Sequence, residues 1–522
     1  MTNKTSGKYI PDDISDTDIA AAFTGIKSTS SKKTEKSKAP KSSHSILTII
    51  SRIFFILYLI SASIVCIILA VLSVLPIKYL LPVALASIVF AILFGFFVFK
   101  KSFKKPFKII ALVFETIFTI GFMVVFFYLS QTMTFMDAIK ATDYQIEEYY
   151  VIVKSDSSYN SLSDLTEHSL GLYKDSSDNY QKALAEVTKQ TPVTTTTYPD
   201  FIDASTALME NQTASVLIKG SLLEAAEDII PDFKKSSIRI IYTIEIKIPL
   251  DQIVVNNIDI STEPFNIYIS GIDTYGEIAK VSRSDVNMIV TVNPKTHQIL
   301  LTSIPRDYYV LLHGTEGPYD KLTHAGIYGI DMSIQTLEDL FGINIDYYIR
   351  INFSSAIELI DAVGGVEVNP DATFTARSNS SCSFTAGVTA HVGGECGLAY
   401  ARERYAYSTG DRHRVQNQQE VLSAIITKIT SSKTLISKYT DILASIGTSL
   451  QTNIPSSQIY KLVNLQLDTM PSWKIDRISV DGYGTYDITY SMGARELYVM
   501  VPDEETIEDA KNKMNQVLEQ DA

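Results

Sequence analysis

The chain has 522 residues, 46% of them hydrophobic, and a formal net charge of −13, a length that accommodates two or three compact domains. The charge is uneven: Met1 to Ser130 hold 15 Lys and Arg against 6 Asp and Glu, a surplus of nine, which leaves −22 for Gln131 to Ala522. So acidic a body repels nucleic acid, whose binding rests on Lys and Arg neutralising phosphates, and nucleic acid is excluded as a partner.

Residues 1–50 form a polar leader. Its stretch "STSSKKTEKSKAPKSSHS", Ser28 to Ser45, has too little apolar content to fold and is expected to be disordered. Residues 51–130 contain three apolar runs, Ile53 to Ser73, Tyr79 to Phe99 and Ile109 to Leu129. Each is about 20 residues, the length a helix needs to cross a hydrocarbon core about 30 Å thick. The leader is too long for the charged segment of a signal peptide. Lysines from Lys27 to Lys41, and five more between Lys100 and Lys108 in "KKSFKKPFK", place both stretches in the cytoplasm by the positive-inside rule. Three crossings then put everything after Ser130 outside, in a multi-pass protein of the cell membrane.

Residues 131–255 read as a smaller α/β module. "YYVIVKS" is a strand, helical spacing recurs in Tyr180 to Val187 and Leu222 to Ile229, and short β-branched runs lie between. No carboxylate pair, Cys/His cluster or Gly-rich phosphate loop appears in it, which makes it an accessory domain.

Residues 256–522 carry the chemistry. "PFNIYISGIDTYG" is a strand ending in a Gly turn, and "DVNMIVTVNPKTHQILLTSIPRDYYV" is two strands around Asn293-Pro294. If Asn293 pairs with Gln298, paired numbers sum to 591, which sets Asp285 opposite Arg306 at the open end. A first strand parallel to Ile299–Ile304 would deliver Asp273 to the same end, although a slip of one residue would reverse every side chain. "MSIQTLEDLFGI" has Gly342 where a helix C-cap belongs, and "SSAIELIDAVGGVEV" is a helix, two glycines and a strand. Alternating strands and helices predict a layered α/β domain.

The stretch "LAYARER" is expected to be extended, with Tyr400, Arg402 and Arg404 sharing a face by the period-two rule. "RVQNQQEVLSAIITKI" predicts a helix with the apolar stripe Val421, Leu422, Ile425, Ile426 and Ile429. Arg414 and Gln418 share a face of its first turns, where free N–H groups and the dipole favour an anion. Cys382 and Cys396 flank "SFTAGVTAHVGGE", a stretch able to double back as a hairpin. A disulfide closing about 15 residues, worth roughly 3 kcal/mol, and two buried thiols are both open.

Taken singly, Arg402 or Arg404 reads as a surface residue pairing with Glu403, Glu395 or Asp411. Arg402, Arg404, Arg412 and Arg414 around one helix start, with Arg283, Arg306 and two aspartates converging in the same domain, read differently. Guanidinium groups hold phosphate oxygens bidentately. Two carboxylates beside a phosphate suit Mg²⁺, which takes one or two protein carboxylates plus substrate oxygens. Together they point to a metal-neutralised pyrophosphate.

In order, "GIDTYG", "RSDVNMIVTVNP", "TSIPRD", "KLTHA", "GLAYARERY" and "GDRHRVQNQQ" resemble the LytR-CpsA-Psr family of Gram-positive cell-wall glycopolymer ligases, particularly its capsule-type members. The resemblance spans roughly Pro264 to the C-terminus, and the three-span anchor with its accessory region also looks like the capsule-type members. It implies an extracellular layered α/β domain with a central mixed sheet. The implied activity transfers a glycopolymer, capsular polysaccharide here, from a polyprenyl-pyrophosphate carrier to peptidoglycan through a phosphodiester bond. Carried over by motif, Asp273 and Asp285 hold Mg²⁺ or Mn²⁺, and Arg283, Arg306, Arg402, Arg404, Arg414 and Gln418 contact the pyrophosphate. Asp285, Arg306, Arg402 and Arg404 then carry catalysis, and Lys321 lies on the acceptor side. His413 departs from the capsule-type pattern, which has Asp there. His324 has no metal partners at ligand spacing and reads as structural. Two other readings use the same residues: a membrane-bound regulator or attenuator of cell-wall or capsule synthesis, and a polyprenyl-pyrophosphate hydrolase.

Overall fold

The computed structural model describes residues 46–521 apart from 73–76, 101–104, 141–143, 251–257, 432–437, 439–441, 443–444 and 446–449. The expected disordered stretch Ser28–Ser45, the loop lysines Lys101 and Lys104, and the domain boundary at 255 lie outside the described residues.

Helices α1 (Ile46–Leu72), α2 (Ile77–Phe99) and α3 (Lys105–Lys140) come first. Each is long and apolar enough to cross a membrane. Tyr58, Phe94 and Ala62 pack between them, while Ile53, Ile88, Ile117 and many like them remain exposed on the outside of the bundle. Helices apolar on every side belong in lipid.

A first sheet follows. Its chain order is β1 (Tyr144–Lys154), β2 (Ser169–Tyr173), α4 (Asp178–Gln190), β3 (Thr194–Tyr198), α5 (Phe201–Met209), β4 (Ser215–Lys219), α6 (Gly220–Ile229) and β5 (Ile238–Pro249). The spatial order is β3-β2-β4-β1-β5, parallel from β3 to β4 and antiparallel around β1. The head of α5 is satisfied locally: Asp200 accepts from the Ile202 and Asp203 amides.

The second sheet is built from β6 (Phe265–Ile272), β7 (Ser284–Asn293) and β8 (Gln298–Ile304). Short pieces β9 (Tyr309–Val310), β10 (Asp320–Lys321) and α7 (Leu322–Ala325) lead to α8 (Ile330–Phe341), β11 (Tyr347–Ile351) and α9 (Phe353–Ala362). Then come β12 (Val366–Val368), β13 (Phe374–Thr375), β14 (Ser383–Phe384), β15 (Ala390–Val392), α10 (Gly394–Arg402) and α11 (Asp411–Thr430). The described C-terminal part adds β16 (Gln451–Thr452), α12 (Ser456–Thr469), β17 (Lys474–Ser479), the hairpin β18 (Gly482–Thr489) and β19 (Gly493–Pro502), and α13 (Glu504–Glu519). The sheet order is β16-β11-β6-β7-β8-β17, with β6, β7 and β8 antiparallel in turn, β11 parallel to β6 but antiparallel to β16, and β17 parallel to β8. It is the expected central mixed sheet.

Alternation along the strands gives this sheet two faces. One carries Tyr268, Ile289 and Leu300 into a core closed by Ile334, Leu337 and Phe341 of α8 and Ile507 and Met514 of α13. The other carries Ile267, Ile269, Met288, Val290 and Val292 toward α11 and α12. The two sheets are stitched together between β6 and β7. The Ile146 amide donates to the Ala279 carbonyl (2.7 Å), and the Val281 amide donates to the Ile146 carbonyl (2.8 Å).

Two local expectations are corrected. Gly394–Arg402 is a helix, so Tyr400 and Arg402 do not share a strand face. Its glycines mislead because they serve packing. A Cβ on Gly394 would collide with the Ile357 carbonyl oxygen, and one on Gly397 would come within 2.8 Å of Ile360 Cδ1, so α10 presses against α9 only without them. The Gly394 amide donates to Asp361 (2.7 Å), and this tertiary support overrides the helix penalty of glycine. "SFTAGVTAHVGGE" does not fold on itself either: β14 pairs with β13 and β15 with β12, which buries Val366 and Val392 together. Cys382 and Cys396 form a disulfide, with Cα atoms 5.4 Å apart.

Candidate functional site

The hairpin register is the one the numbering predicts, Asn293 with Gln298 through Asn287 with Ile304. Beyond its open end Arg306 Nη1 donates to Asp285 Oδ2 at 2.8 Å. The Thr323 hydroxyl donates to the other Asp285 oxygen at 3.2 Å. Burial pushes the Asp285 carboxyl up, but Arg306, Arg283 and Arg414 outweigh it and hold it below the usual carboxylate range. β6 runs parallel to β8 and ends in a bulge at Gly271/Ile272, where it turns to deliver Asp273. Gly271 is required there: a Cβ would stand 2.7 Å from that of Val286. The Asp273 carboxyl is pushed up, first by burial and then by the charge of Asp285, against the opposing pull of Arg402 and Arg283.

Arg402, last residue of α10, lies 3.9 Å from the centre of the Phe353 ring and 3.7 Å from Asp273 Oδ1. Arg404 donates to the Tyr405 hydroxyl (2.8 Å). Helix α11 brings Arg414, whose Nη2 lies 2.8 Å from Asp411 Oδ1, and Gln418 one turn on. Gln419 anchors that helix, donating to the Leu301 and Ile478 carbonyls of β8 and β17.

Asp273, Asp285, Arg283, Arg306, Arg402, Arg404, Arg414 and Gln418 all line one cavity of about 780 Å³. Most of the rest of its wall is apolar. Phe265, Ile267, Ile269, Met288, Val290 and Val292 come from the sheet, and Val421, Leu422, Ile425, Ile426 and Ile429, the predicted stripe, from α11. Leu462 and Val463 of α12, and Trp473, complete it. The stripe therefore faces a hollow. From Asp285 to Val292 the strand advances roughly 23 Å at ~3.3 Å per residue, which sets the length of the apolar part.

Some candidates lie elsewhere. Arg412 turns outward to Asp481 (2.7 Å) and the Gly482 carbonyl. Lys321 is tied to Asp307 at 2.8 Å. His324 is buried against Asp320 at 2.6 Å. His413 stacks on Tyr407, ring centres 3.4 Å apart, and burial lowers its pKa. Asp411 pairs with the buried Arg414 and not with Arg402 or Arg404, and Glu403 does something else. Buried, it accepts from the backbone amides of Arg404, Tyr405 and Ala406 with one oxygen and of Arg377 with the other, at 2.7–3.1 Å. It thereby folds Arg402, Arg404 and Arg377 around the rim, where Arg377 lies 4.0 Å over the Tyr405 ring. Sequence reasoning missed both residues, because a Glu in "ARER" reads as a partner for its neighbours and Arg377 stands alone.

The profile of the LytR_cpsA_psr family matches residues 235–516. The chain belongs to the LytR-CpsA-Psr family. A polyisoprenyl-teichoic acid–peptidoglycan teichoic acid transferase, TagU, of Bacillus mycoides is 34% identical over 259 residues, 49% of this chain and 80% of that protein. The TagU transferase of Enterococcus faecalis is 34% identical over 231 residues, 44% of this chain and 74% of its own length. Among solved structures, Bacillus subtilis TagV is 30% identical, covering 50% of this chain and 99% of that one with a TM-score of 0.43. The matched family region begins at residue 235, so most of the first sheet, β1 to α6, stands in front of it.

Proposed function

We propose that this LytR-CpsA-Psr protein transfers a glycopolymer from a polyprenyl-pyrophosphate carrier to peptidoglycan through a phosphodiester bond. The observation that carries the reading is the cavity's division, with six arginines, Asp273, Asp285 and Glu403 at one end and mostly apolar walls over the remainder. That is the complement of an amphiphile with a diphosphate head. The names of the TagU relatives support the reaction class.

The acceptor hydroxyl oxygen attacks the sugar-proximal phosphorus, and its new bond replaces the bond from that phosphorus to the bridging oxygen. The electron pair leaves with polyprenyl phosphate, whose oxygen takes the hydroxyl proton. Arg283, Arg306, Arg402, Arg404 and Arg414 orient the diphosphate and offset its charge, which is most of what phosphoryl transfer asks of a protein. The donor set fits Mg²⁺ or Mn²⁺: Asp273 and Asp285 line the same cavity as the arginines, two carboxylates beside a phosphate cradle. These two would hold the ion, which supplies charge neutralisation at the diphosphate.

The donor is capsular polysaccharide, which the additional α/β module ahead of the family region supports. The module and the family domain face the outside. Lys78, at the start of α2, lies 2.9 Å from Asp468 of α12, which keeps that end of α2 on the side of the sheets, in keeping with three crossings. A disulfide fits an oxidising compartment.

Full-length protein in proteoliposomes, given lipid-linked polymer and peptidoglycan with Mg²⁺, should yield peptidoglycan-bound polymer. Chelation, Arg306→Ala and Asp285→Ala should each abolish it. Release of free phosphosugar without attachment would make the protein a hydrolase, and unchanged turnover in both variants would refute the site.

A further inference from the structure

A second cavity, of about 400 Å³, lies where the first sheet meets the loop between β6 and β7. It adjoins the charged end of the large one. Arg283 lines the large cavity and Glu224, on α6, lines the second, and they approach to 3.4 Å. Consecutive residues divide in the same way: Asp273 faces the first cavity and Thr274 the second, and likewise Arg283 and Ser282. The contact is held in place by the backbone bonds of Ile146 and by buried Arg350, whose Nη2 donates to the Lys280 carbonyl at 2.8 Å.

The lining names a ligand class. Its charges cancel, Lys280 pairing with Glu148 at 2.7 Å and Lys235 with Glu224 at 3.1 Å, so it offers no excess charge to an ion. Tyr150 and the half-exposed Ile240 supply an aromatic and an aliphatic wall. Among the described residues, the buried hydroxyls of Ser221, 9% exposed, and Thr274 have no hydrogen-bond partner. A buried hydroxyl without a partner carries a free-energy cost that a hydroxylated ligand removes. Carboxylates, ammonium groups and spare hydroxyls around one aromatic ring suit an uncharged ring bearing many hydroxyls, and the volume lies in the range of small-molecule sites.

We propose that this cavity binds a saccharide unit of the acceptor glycan and presents its hydroxyl to the diphosphate across the Arg283–Glu224 pair. The inference rests on the transfer reaction proposed above and adds an acceptor site to it. Glu148, Tyr150, Ser221 and Glu224 precede residue 235, so the site would be a property of chains carrying this extra module.

The test uses the full chain in nanodiscs and two soluble probes, the N-acetylglucosamine tetrasaccharide chitotetraose and a short-chain polyprenyl phosphate. Saturation-transfer NMR and titration should detect chitotetraose on the wild type. Tyr150→Ala and Ile240→Arg should each weaken it by about tenfold, the scale of losing one ring contact, and raise the KM for acceptor with little change in polyprenyl phosphate affinity. Ile240 is 43% exposed, so its replacement leaves the fold intact. Chitotetraose bound equally by both variants, or not bound by a wild type that binds polyprenyl phosphate, overturns the acceptor site. Loss of polyprenyl phosphate binding in the wild type would instead count against the transfer reading, and saccharide binding is measured independently of it.

Discussion

Glu403 is the residue whose removal should cost the most for the least visible change. Its carboxylate, 3% exposed, accepts four backbone amide hydrogens and holds the turn after α10. Hydrogen bonds to a charged acceptor contribute about 1.5–3 kcal/mol each. Once the turn opens, water satisfies most of the released amides, so Glu403→Ala should destabilise by roughly 3–5 kcal/mol rather than the sum. For a large domain, that corresponds to a fall in Tm of about 10 °C. Glu403→Gln should cost less but still measurably, because its NH₂ would face the Arg377 amide, donor against donor. Trp473, the chain's only tryptophan, lines the cavity and reports unfolding by fluorescence. Transfer should fall at least tenfold below the unfolding temperature, since Arg402, Arg404 and Arg377 lose their placement. A Glu403→Ala protein melting within 2 °C of wild type, or transferring polymer normally at about 25 °C, would refute this account of the rim.

Three further outcomes are expected. Asp273→Asn should abolish transfer yet slightly raise Tm at neutral pH. The folded pKa of Asp273 lies above its unfolded value, so its ionisation costs stability at higher pH, and the gain should vanish below pH ~3 where both states are protonated. A melting series from pH 3 to 8 checks the sign. Ile426→Arg should lower polyprenyl phosphate binding by more than about tenfold while the protein stays folded, because its side chain borders a hollow; unchanged titration isotherms would count against a lipid there. Reducing or replacing the Cys382–Cys396 disulfide should lower stability by about 3 kcal/mol, read as matching shifts in denaturant midpoint for dithiothreitol-treated protein and Cys396→Ser.

The spans, the hairpin register and the Gly342 cap were legible because each follows from local rules of length, pairing and backbone conformation. Motif order and strand register point to eight residues that line one cavity, although "LAYARER" is helical as far as Arg402 rather than extended. Its helix exists because α9 lies within glycine distance of it, a contact no local window contains. Glu403 likewise bonds back to Arg377, 26 residues earlier.

What the amino-acid order determined by itself was therefore topology across the bilayer as an expectation, strand register and the identity of the charged cluster. Whether the stripe from Val421 to Ile429 meets a filled core or a hollow was decided by tertiary structure alone. Periodicity records that a face is apolar; the separation of α11 and α12 from the sheet, set by residues far apart in the chain, decides what the face encloses. The second cavity, formed where two sheets meet across more than a hundred residues of sequence, has no local signature for the same reason.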